Sequence, residues 1–583
     1  MTDKVAELTS LINADDESQW ITYLWDKFNQ QRRAKIEEWK ELRDYVFATD
    51  TTTTSNSGLP WKNSTTLPKL CQIRDNLHSN YLSHLFPNDD WLVWVGYSLE
   101  DSIKIKAAMI EAYMANKARE GGMRREVSKL LYDYIDYGNA FATVVYENRH
   151  KELEDGSTIP GYIGPKLKRI SPLDIVFNPL ADSLEGSFKI VRSIKTRGEL
   201  LKASQTNPED SYWREALENR ERIVQRMGGY SIEDFDKAVG YSVDGFGNMY
   251  EYYQSDYFEI LEFYGDFHNK ATGELETDRI ITIVDRSTSV RNEVIPSWFG
   301  HAPIYHVGWR SRPDNLWAMG PLDNLVGMQY RIDHLENLKA DAMDLIVHPP
   351  LKIIGEVEQF AWGPGAEIHI DENGDVQEVS KNLNGLVIAD NNIQMLEEKM
   401  ELYAGAPREA MGVRTPGEKT LGEVNILTNA AARIFQEKIT MFETELLEPA
   451  LNAMLETGRR NMDGSDIIRV TDTDVGVAEF QTLTKEDITA GGKIRPVGAR
   501  HFAKQAQDLQ NLNQVFNSPL GQMVAPHTSG KNVTKFINDV VGISAYNIFS
   551  ENIALFEQQE TQQVAQSIQT QADQEAQVVP PEV

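Results

Sequence analysis

The chain has 583 residues, enough for several domains with cores of their own. Its 88 acidic residues against 58 basic ones give a formal charge of −30 and a pI near 4.8, a balance that repels phosphates and argues against a sequence-reading DNA binder, though not against a protein past which DNA slides. The single cysteine, Cys71, forms neither an intramolecular disulfide nor a zinc cluster, which fits a reducing compartment. Residues 1–10 lack a basic stretch followed by an apolar one, and no apolar run is long enough to span a bilayer; the expectation is a soluble, unsecreted protein with accidental sequons at Asn63 and Asn532.

In chain order, Ile21, Leu24, Trp25 and Phe28, then Ile36, Trp39, Leu42 and Val46, keep helical spacing and predict a helical arm. A polar Thr/Ser/Asn run over 49–58 predicts a loop, and 67–85 predicts a helix ended by Pro87. Helices are predicted over 103–119 and 124–137, separated by Gly121-Gly122, with Gly138 as a left-handed cap and a strand over 141–146. Runs at 167–170, 175–177 and 188–194 predict one small sheet. Asn207-Pro208-Glu209-Asp210 carries a capping side chain, a first-turn proline and acids at the positive helix end, and predicts a helix to Met227. Segments 257–264 and 280–285, joined across Thr272-Gly273-Glu274, predict a hairpin, and 298–309 predicts another strand. A second strong helix is predicted to Val347, stopped by His348-Pro349-Pro350. Strands follow at 351–354, 367–370 and 376–379, the last two about the turn pair Asn373-Gly374, and then a helix over 390–403.

Leu427, Ala431, Ile434, Phe435, Ile439, Phe442 and Leu446 lie three and four apart and predict a helix over 421–457, about 55 Å long at 1.5 Å per residue, kinked near Pro449. The loop that feeds it, Gly405 to Thr420, comes close to the phosphate-cradling pattern GxxxxGK[ST], because Gly412 and Gly417 stand five apart and Lys419-Thr420 opens the helix. Glu418 separates Gly417 from Lys419, places negative charge where a phosphate would lie, and leaves the lysine out of register. The helical segment upstream stands where a phosphate loop needs a strand. The tail from Ala499 reads as helix with polar gaps, Gln-rich over 558–577.

No HExxH, GxSxG or CxxC pattern occurs. His301 and His306 have no third ligand at metal spacing, and Asp371 to Asp375 lacks the later glutamate of a calcium loop. The expectation is a protein with no catalytic residues, no metal and no cofactor.

Certain segments, taken in order, resemble the portal (head-to-tail connector) proteins of tailed double-stranded DNA phages, and most closely those of short-tailed phages. They are Trp61-Lys62-Asn63-Ser64, Phe86-Pro87-Asn88-Asp89-Asp90-Trp91, Tyr137-Gly138-Asn139, Ile170-Ser171-Pro172-Leu173-Asp174, Met319-Gly320-Pro321 before the helix ending at His348-Pro349-Pro350, and Arg459-Arg460-Asn461. The resemblance covers 61–516. It implies an α+β, predominantly helical subunit with wing, stem, clip and crown, forming a ring of usually twelve copies at a capsid vertex, in the virion after assembly in the host cytoplasm. On that pattern 1–207 is the N-terminal helical arm and wing, and 208–254 a first stem helix and connection. The clip is 255–312, the second stem helix 313–350, and wing strands and helix 351–404. The tunnel loop is 405–420, the long wing helix and wing remainder 421–498, and the crown with its Gln-rich tail 499–583. Implied partners are other copies of the chain, the terminase large subunit, head-tail adaptor and tail proteins, major capsid and scaffolding proteins, and double-stranded DNA held transiently and without sequence preference, with no membrane. Twelve copies at −30 carry a formal −360, so DNA in the channel meets mostly repulsion. Arg408, Arg414 and Lys419 are the candidate cations of the tunnel loop, with ordinary solvated charges as the plainer reading. A P-loop-like nucleotidase and an unrelated helical scaffold protein are the competing functions.

Overall fold

The computed structural model describes residues 17–47, 65–86, 91–97, 101–152, 158–206, 211–226, 255–269, 274–295, 302–347, 351–355, 375–378, 384–404, 436–462, 465–471 and 478–496. They belong to two units, one drawn from Met1–Ser83 and Glu120–Gly458, the other from His84–Arg119 and Arg459–Val583. The described elements run as follows in chain order. Three helices come first, α1 (Glu17–Gln31), α2 (Arg33–Phe47) and α3 (Lys69–Leu85), then β1 (Leu92–Gly96), α4 (Asp101–Glu120) and α5 (Met123–Asp136). Strands β2 (Asn139–Glu152), β3 (Thr158–Ile170), β4 (Ile175–Phe177) and β5 (Lys189–Thr196) precede α6 (Arg197–Thr206) and α7 (Ser211–Arg226). Next are β6 (Tyr257–Asn269), β7 (Glu274–Val284), β8 (Thr288–Val294), β9 (Ile304–Gly308), β10 (Arg310–Arg312), β11 (Asn315–Met319) and α8 (Val326–Val347). The chain continues through β12 (Leu351–Ile354), β13 (Asp375–Glu378), α9 (Asn384–Tyr403), a π-helical turn (Phe442–Leu447), α10 (Glu448–Asn461), β14 (Ser465–Thr471), β15 (Ala478–Thr484) and β16 (Gly492–Pro496).

The first unit is built on a five-stranded antiparallel sheet in the order β4-β5-β6-β7-β8. Successive strand residues point to opposite faces, so Leu261 and Phe263 meet Ile21, Leu24, Trp25 and Phe28 of α1, while Phe258 and Ile260 meet Ala216 and Leu217 of α7. Both faces are therefore covered, and α1 is a layer of the fold instead of a free arm. The break between α1 and α2 falls at Arg32, 5% exposed, whose guanidinium donates to the carbonyls of Pro172 (2.6 Å), Ile175 (2.7 Å) and Leu173. Burial pushes this arginine down to about 9, with Arg192 adding to the shift.

Two expectations need correction. The runs at 167–170, 175–177 and 188–194 belong to two sheets, because β3 pairs with β2, and β2 with β9, in a separate three-stranded sheet. The boundary expected at 255 has no structural counterpart. β6 pairs with β5 from Tyr257↔Thr196 to Tyr264↔Lys189, so 257–294 completes the sheet begun by 175–196, and α7, expected as the first stem helix, packs against that sheet. Just before Pro449, where a kink is expected, Phe442–Leu447 is π-helical and the Glu448 N–H bonds Glu443 O, five residues back. Proline has no N–H to offer, and widening the preceding turn lets the helix continue to Asn461.

Several predicted elements stand as read, among them α5 between two left-handed glycines, Gly122 (φ 68°) and Gly138 (φ 69°). The hairpin partners β6 and β7 also form as expected. The second unit carries two small antiparallel sheets, β1 with β16 and β14 with β15. Lys117 of α4 reaches Asp466 at 2.6 Å, and Arg459 donates to Ile488 O (2.6 Å) and Ala490 O (3.0 Å).

Candidate functional site

Arg408, Arg414 and Lys419, the candidate tunnel-loop cations, lie outside the described residues, as do Gly405 to Thr420 and the helix start at 421–435. Trp61 to Ser64, His301 and the tail from 497 also lie outside them. Among the described residues no group of three or more His, Cys, Asp or Glu is arranged to hold a metal ion, and no helix is long and apolar enough to cross a membrane.

Two of the described sequence motifs converge on one junction. Gly138 lies against Met319-Gly320 so closely that a Cβ there would sit 2.3 Å from the Gly320 nitrogen, so glycine is required for contact as well as for its positive φ. Asn139, fully buried, donates to Tyr137 O (2.8 Å) and Ala318 O (3.0 Å), and its Oδ1 accepts from Ala318 N (3.0 Å). His306 Nε2 lies 3.0 Å from the same oxygen and donates to it, while its ring stacks on Phe141 at 4.5 Å. Burial alone pushes His306 down to about 4, so the ring is neutral at ordinary pH. Ser171-Pro172-Leu173-Asp174 is a separate anchor, its carbonyls held by Arg32 and Asp174 bound by Arg192 at 2.8 Å. These motifs carry architecture. They position a strand, a turn and the start of α8.

The surface that stands out chemically is the helix, hairpin and helix that follow. Helix α8 enters β12, which pairs with β13 from Leu351↔Glu378 to Ile354↔Asp375, and α9 returns. Lys339 meets Asp390 at 2.8 Å. Lys69 binds Glu401 at 2.7 Å, and Leu67, two residues before it, donates its N–H to Asp333 at 3.0 Å. Later residues of α8 thus lie beside earlier residues of α9, and the two helices run antiparallel. The root is tied down by a polar ladder on one face of α8. Gln329, Asp333 and Asn337, each at most 1% exposed, bond the backbone of the extended segment at 65–67: Asn337 takes both groups of Thr65 (2.7 and 3.0 Å), and Gln329 donates to Leu67 O (2.6 Å).

The far end exposes apolar side chains. Met343, Leu345, Ile346 and Val347 at the end of α8, Ile353 and Ile354 on β12, and Val387 and Ile388 on α9 are 37–70% exposed. Ile388, Met395 and Leu402 stand seven apart on α9, which stripes one face, while Ile393 and Met400, also seven apart, face inward at 8% and 0%. Twelve of the twenty-four large apolar side chains exposed by the described residues lie between Leu338 and Tyr403. Scattered exposed apolar residues need no explanation, whereas a concentration in one stretch of chain is less usual on a protein surface. The seven-residue repeat was readable in the sequence, and its inward and outward halves look alike there. Only the packing of α9 separates them. No protein-family model matches the chain, and no characterised protein sequence matches it.

Proposed function

We propose that the chain is a portal-type subunit, a ring-forming channel at a capsid vertex through which double-stranded DNA is packaged by a terminase motor and later released, and a platform for adaptor and tail proteins. The observation that carries this reading is the concentration of exposed apolar side chains on α8, which the family resemblance makes a stem helix, and on β12 and α9 that follow it. A heterologous contact, one face of each copy against a different face of the next, closes into a ring when the rotation is right, and the end of α8 and the stripe on α9 supply two such faces. Burying one Leu or Ile side chain contributes about 1.5–3 kcal/mol, so a few of these per contact, repeated around a ring, outweigh the ordering cost of association.

On this reading the stem, clip and second stem correspond to α8, the β12–β13 hairpin region and α9, in place of the assignment of the clip to 255–312. The five-stranded and three-stranded sheets with α1, α2, α5 and α7 belong to the wing, and the motor and adaptor dock at the hairpin end. The charge of −30 per copy keeps the channel from holding DNA, and Arg408, Arg414 and Lys419 provide transient phosphate contacts. Electron micrographs of the purified full chain test the proposal: rings with an axial hole support it, and single compact particles at every concentration refute it.

A further inference from the structure

In the first unit a cleft of about 280 Å³ opens between α2, α3, α5 and β3. Its walls carry four cations, Arg43, Arg74, Lys129 and Arg169, and two carboxylates, Asp133 and Asp136, while beyond the walls Asp75 lies 3.7 Å from Arg74 and Glu126 2.7 Å from Lys129. The inner pair of arginines is fixed in place. Arg74 binds Asp136 through two nitrogens at 2.6 and 2.8 Å and lies 4.1 Å over the ring of Tyr132, which stacks on His78 at 3.8 Å. Arg169 grips Asp133 through Nε and through Nη2 at 2.6 Å. The outer pair is open to solvent: Arg43 is exposed, and Lys129, 45% exposed, reaches Glu126 one turn back on its own helix. Beside these cations Phe47, 50% exposed, forms an apolar rim with Val46.

Asp133 and Asp136 are each held by an arginine, so an incoming anion meets Arg43 and Lys129 at the mouth, the lysine by giving up its contact with Glu126. Arginines held by carboxylates and an aromatic ring lose little freedom when an oxyanion arrives, and planar guanidinium edges suit phosphoryl oxygens. The volume is at the small end of ligand clefts, too small for a folded partner and suited to one ring or short chain with a charged head. We propose that this cleft binds a phosphate monoester with an apolar or aromatic body, the phosphoryl group among Arg43, Lys129 and Arg169 and the body against Val46 and Phe47. This site stands apart from the ring reading, since none of its residues lies on α8 or α9.

The test is titration of the full chain with phenyl phosphate, inorganic phosphate and a 5′-phosphorylated trinucleotide, followed by calorimetry. Saturable binding of phenyl phosphate at one site per chain, at least several-fold tighter than inorganic phosphate, is expected. The double variant Arg43→Ala/Lys129→Ala, both exposed positions, weakens it about tenfold or more, and Phe47→Ser removes the preference for phenyl phosphate over phosphate while phosphate itself still binds. Displacement of phenyl phosphate by the trinucleotide assigns the natural ester to a nucleic-acid end, and failure to displace assigns it to a free small molecule. Absence of saturable binding at millimolar phenyl phosphate, or affinity unchanged in the double variant with its circular dichroism intact, overturns the proposal.

Discussion

The five-stranded sheet and the α8–α9 helix pair treat charge and apolar surface in opposite ways. The sheet buries ions: Arg286 and Glu259 pair at 2.6 Å, 5% and 3% exposed, and Arg220 and Asp285 pair at 2.7 Å, 5% and 4% exposed. Asp285 and Arg286 also hold left-handed backbone, φ 51° and 58°, in the β7–β8 turn, a conformation that costs non-glycine residues of order 1–3 kcal/mol each and persists where the surroundings over-determine it. Here the two side chains are clamped into the sheet by their ion pairs. The helix pair does the reverse, leaving many apolar residues in water and burying a polar ladder at its root. One region is complete within a single chain. The other is, on the proposed reading, completed by a neighbour.

The largest expected effect breaks the first half of this comparison. Asp285→Ala leaves Arg220 buried without its carboxylate, and stability should fall by about 3–5 kcal/mol in denaturant unfolding. A loss under about 1 kcal/mol would mean that the pair is hydrated and the turn is held by other contacts.

Next is the pH response of the buried junction. His306 sits at about 4 in the folded chain against 6.5 in an unfolded one, so between those values the unfolded chain binds the extra proton. The contribution is fully present above pH 6.5 and is lost as pH falls towards 4, by up to about 1.4 kcal/mol per pH unit. Asp133 acts oppositely in an overlapping window: burial raises it to about 7, against the pull of Arg169, so its contribution favours the folded state at low pH and is lost as pH rises towards 7. The two are separable by substitution. Subtracting the stability profile of His306→Gln from that of the parent should leave a difference that falls steadily from pH 6.5 to 4, and a flat difference would show that the imidazole is protonated in place.

A smaller effect is expected in the tunnel loop, where replacing Arg408, Arg414 and Lys419 together by Ser should leave assembly intact and lower retention of packaged DNA. Equal genome lengths and equal retention under osmotic challenge would leave the three as ordinary solvated charges. The smallest expected signal is nucleotide turnover, which should be absent from the purified chain; phosphate release lost in Lys419→Ala would reverse the reading of Glu418.

The sheet region was partly legible in the sequence, because its strands alternate and its turns carry Gly, Pro and Asn, and the pairs β6–β7 and β12–β13 are local or nearly so. Its division was not, because 141–146 and 167–170 are only the ends of two long strands, and the hairpin they form, closing at Glu152↔Thr158, carries 167–170 into another sheet. The helix α7 at 211–226 was readable from its start signals, but its amphipathic face says only that it packs, not that it packs on β8. The same limit hid the exposed apolar face of α9. A helix was readable over 390–403, and only the exposure of Ile388, Met395 and Leu402 beside the buried Ile393 and Met400 shows that α9 has two apolar faces. The buried Arg32 was equally hidden, since its partners are carbonyls 140 or more residues away.

The central claim is that the α8–α9 surface is completed by neighbouring copies, and the mass of the full chain in solution tests it most directly, compared between the parent and Ile388→Glu/Met395→Glu/Leu402→Glu. At 66.1 kDa per chain, a twelve-copy ring weighs about 790 kDa. The parent should sediment as a species of several hundred kDa, and the variant as a folded 66.1 kDa monomer whose unfolding free energy lies within about 1 kcal/mol of the parent subunit, because exposed positions lose little on substitution. A parent that is monomeric at every concentration, or a variant that assembles as well as the parent, would contradict the account.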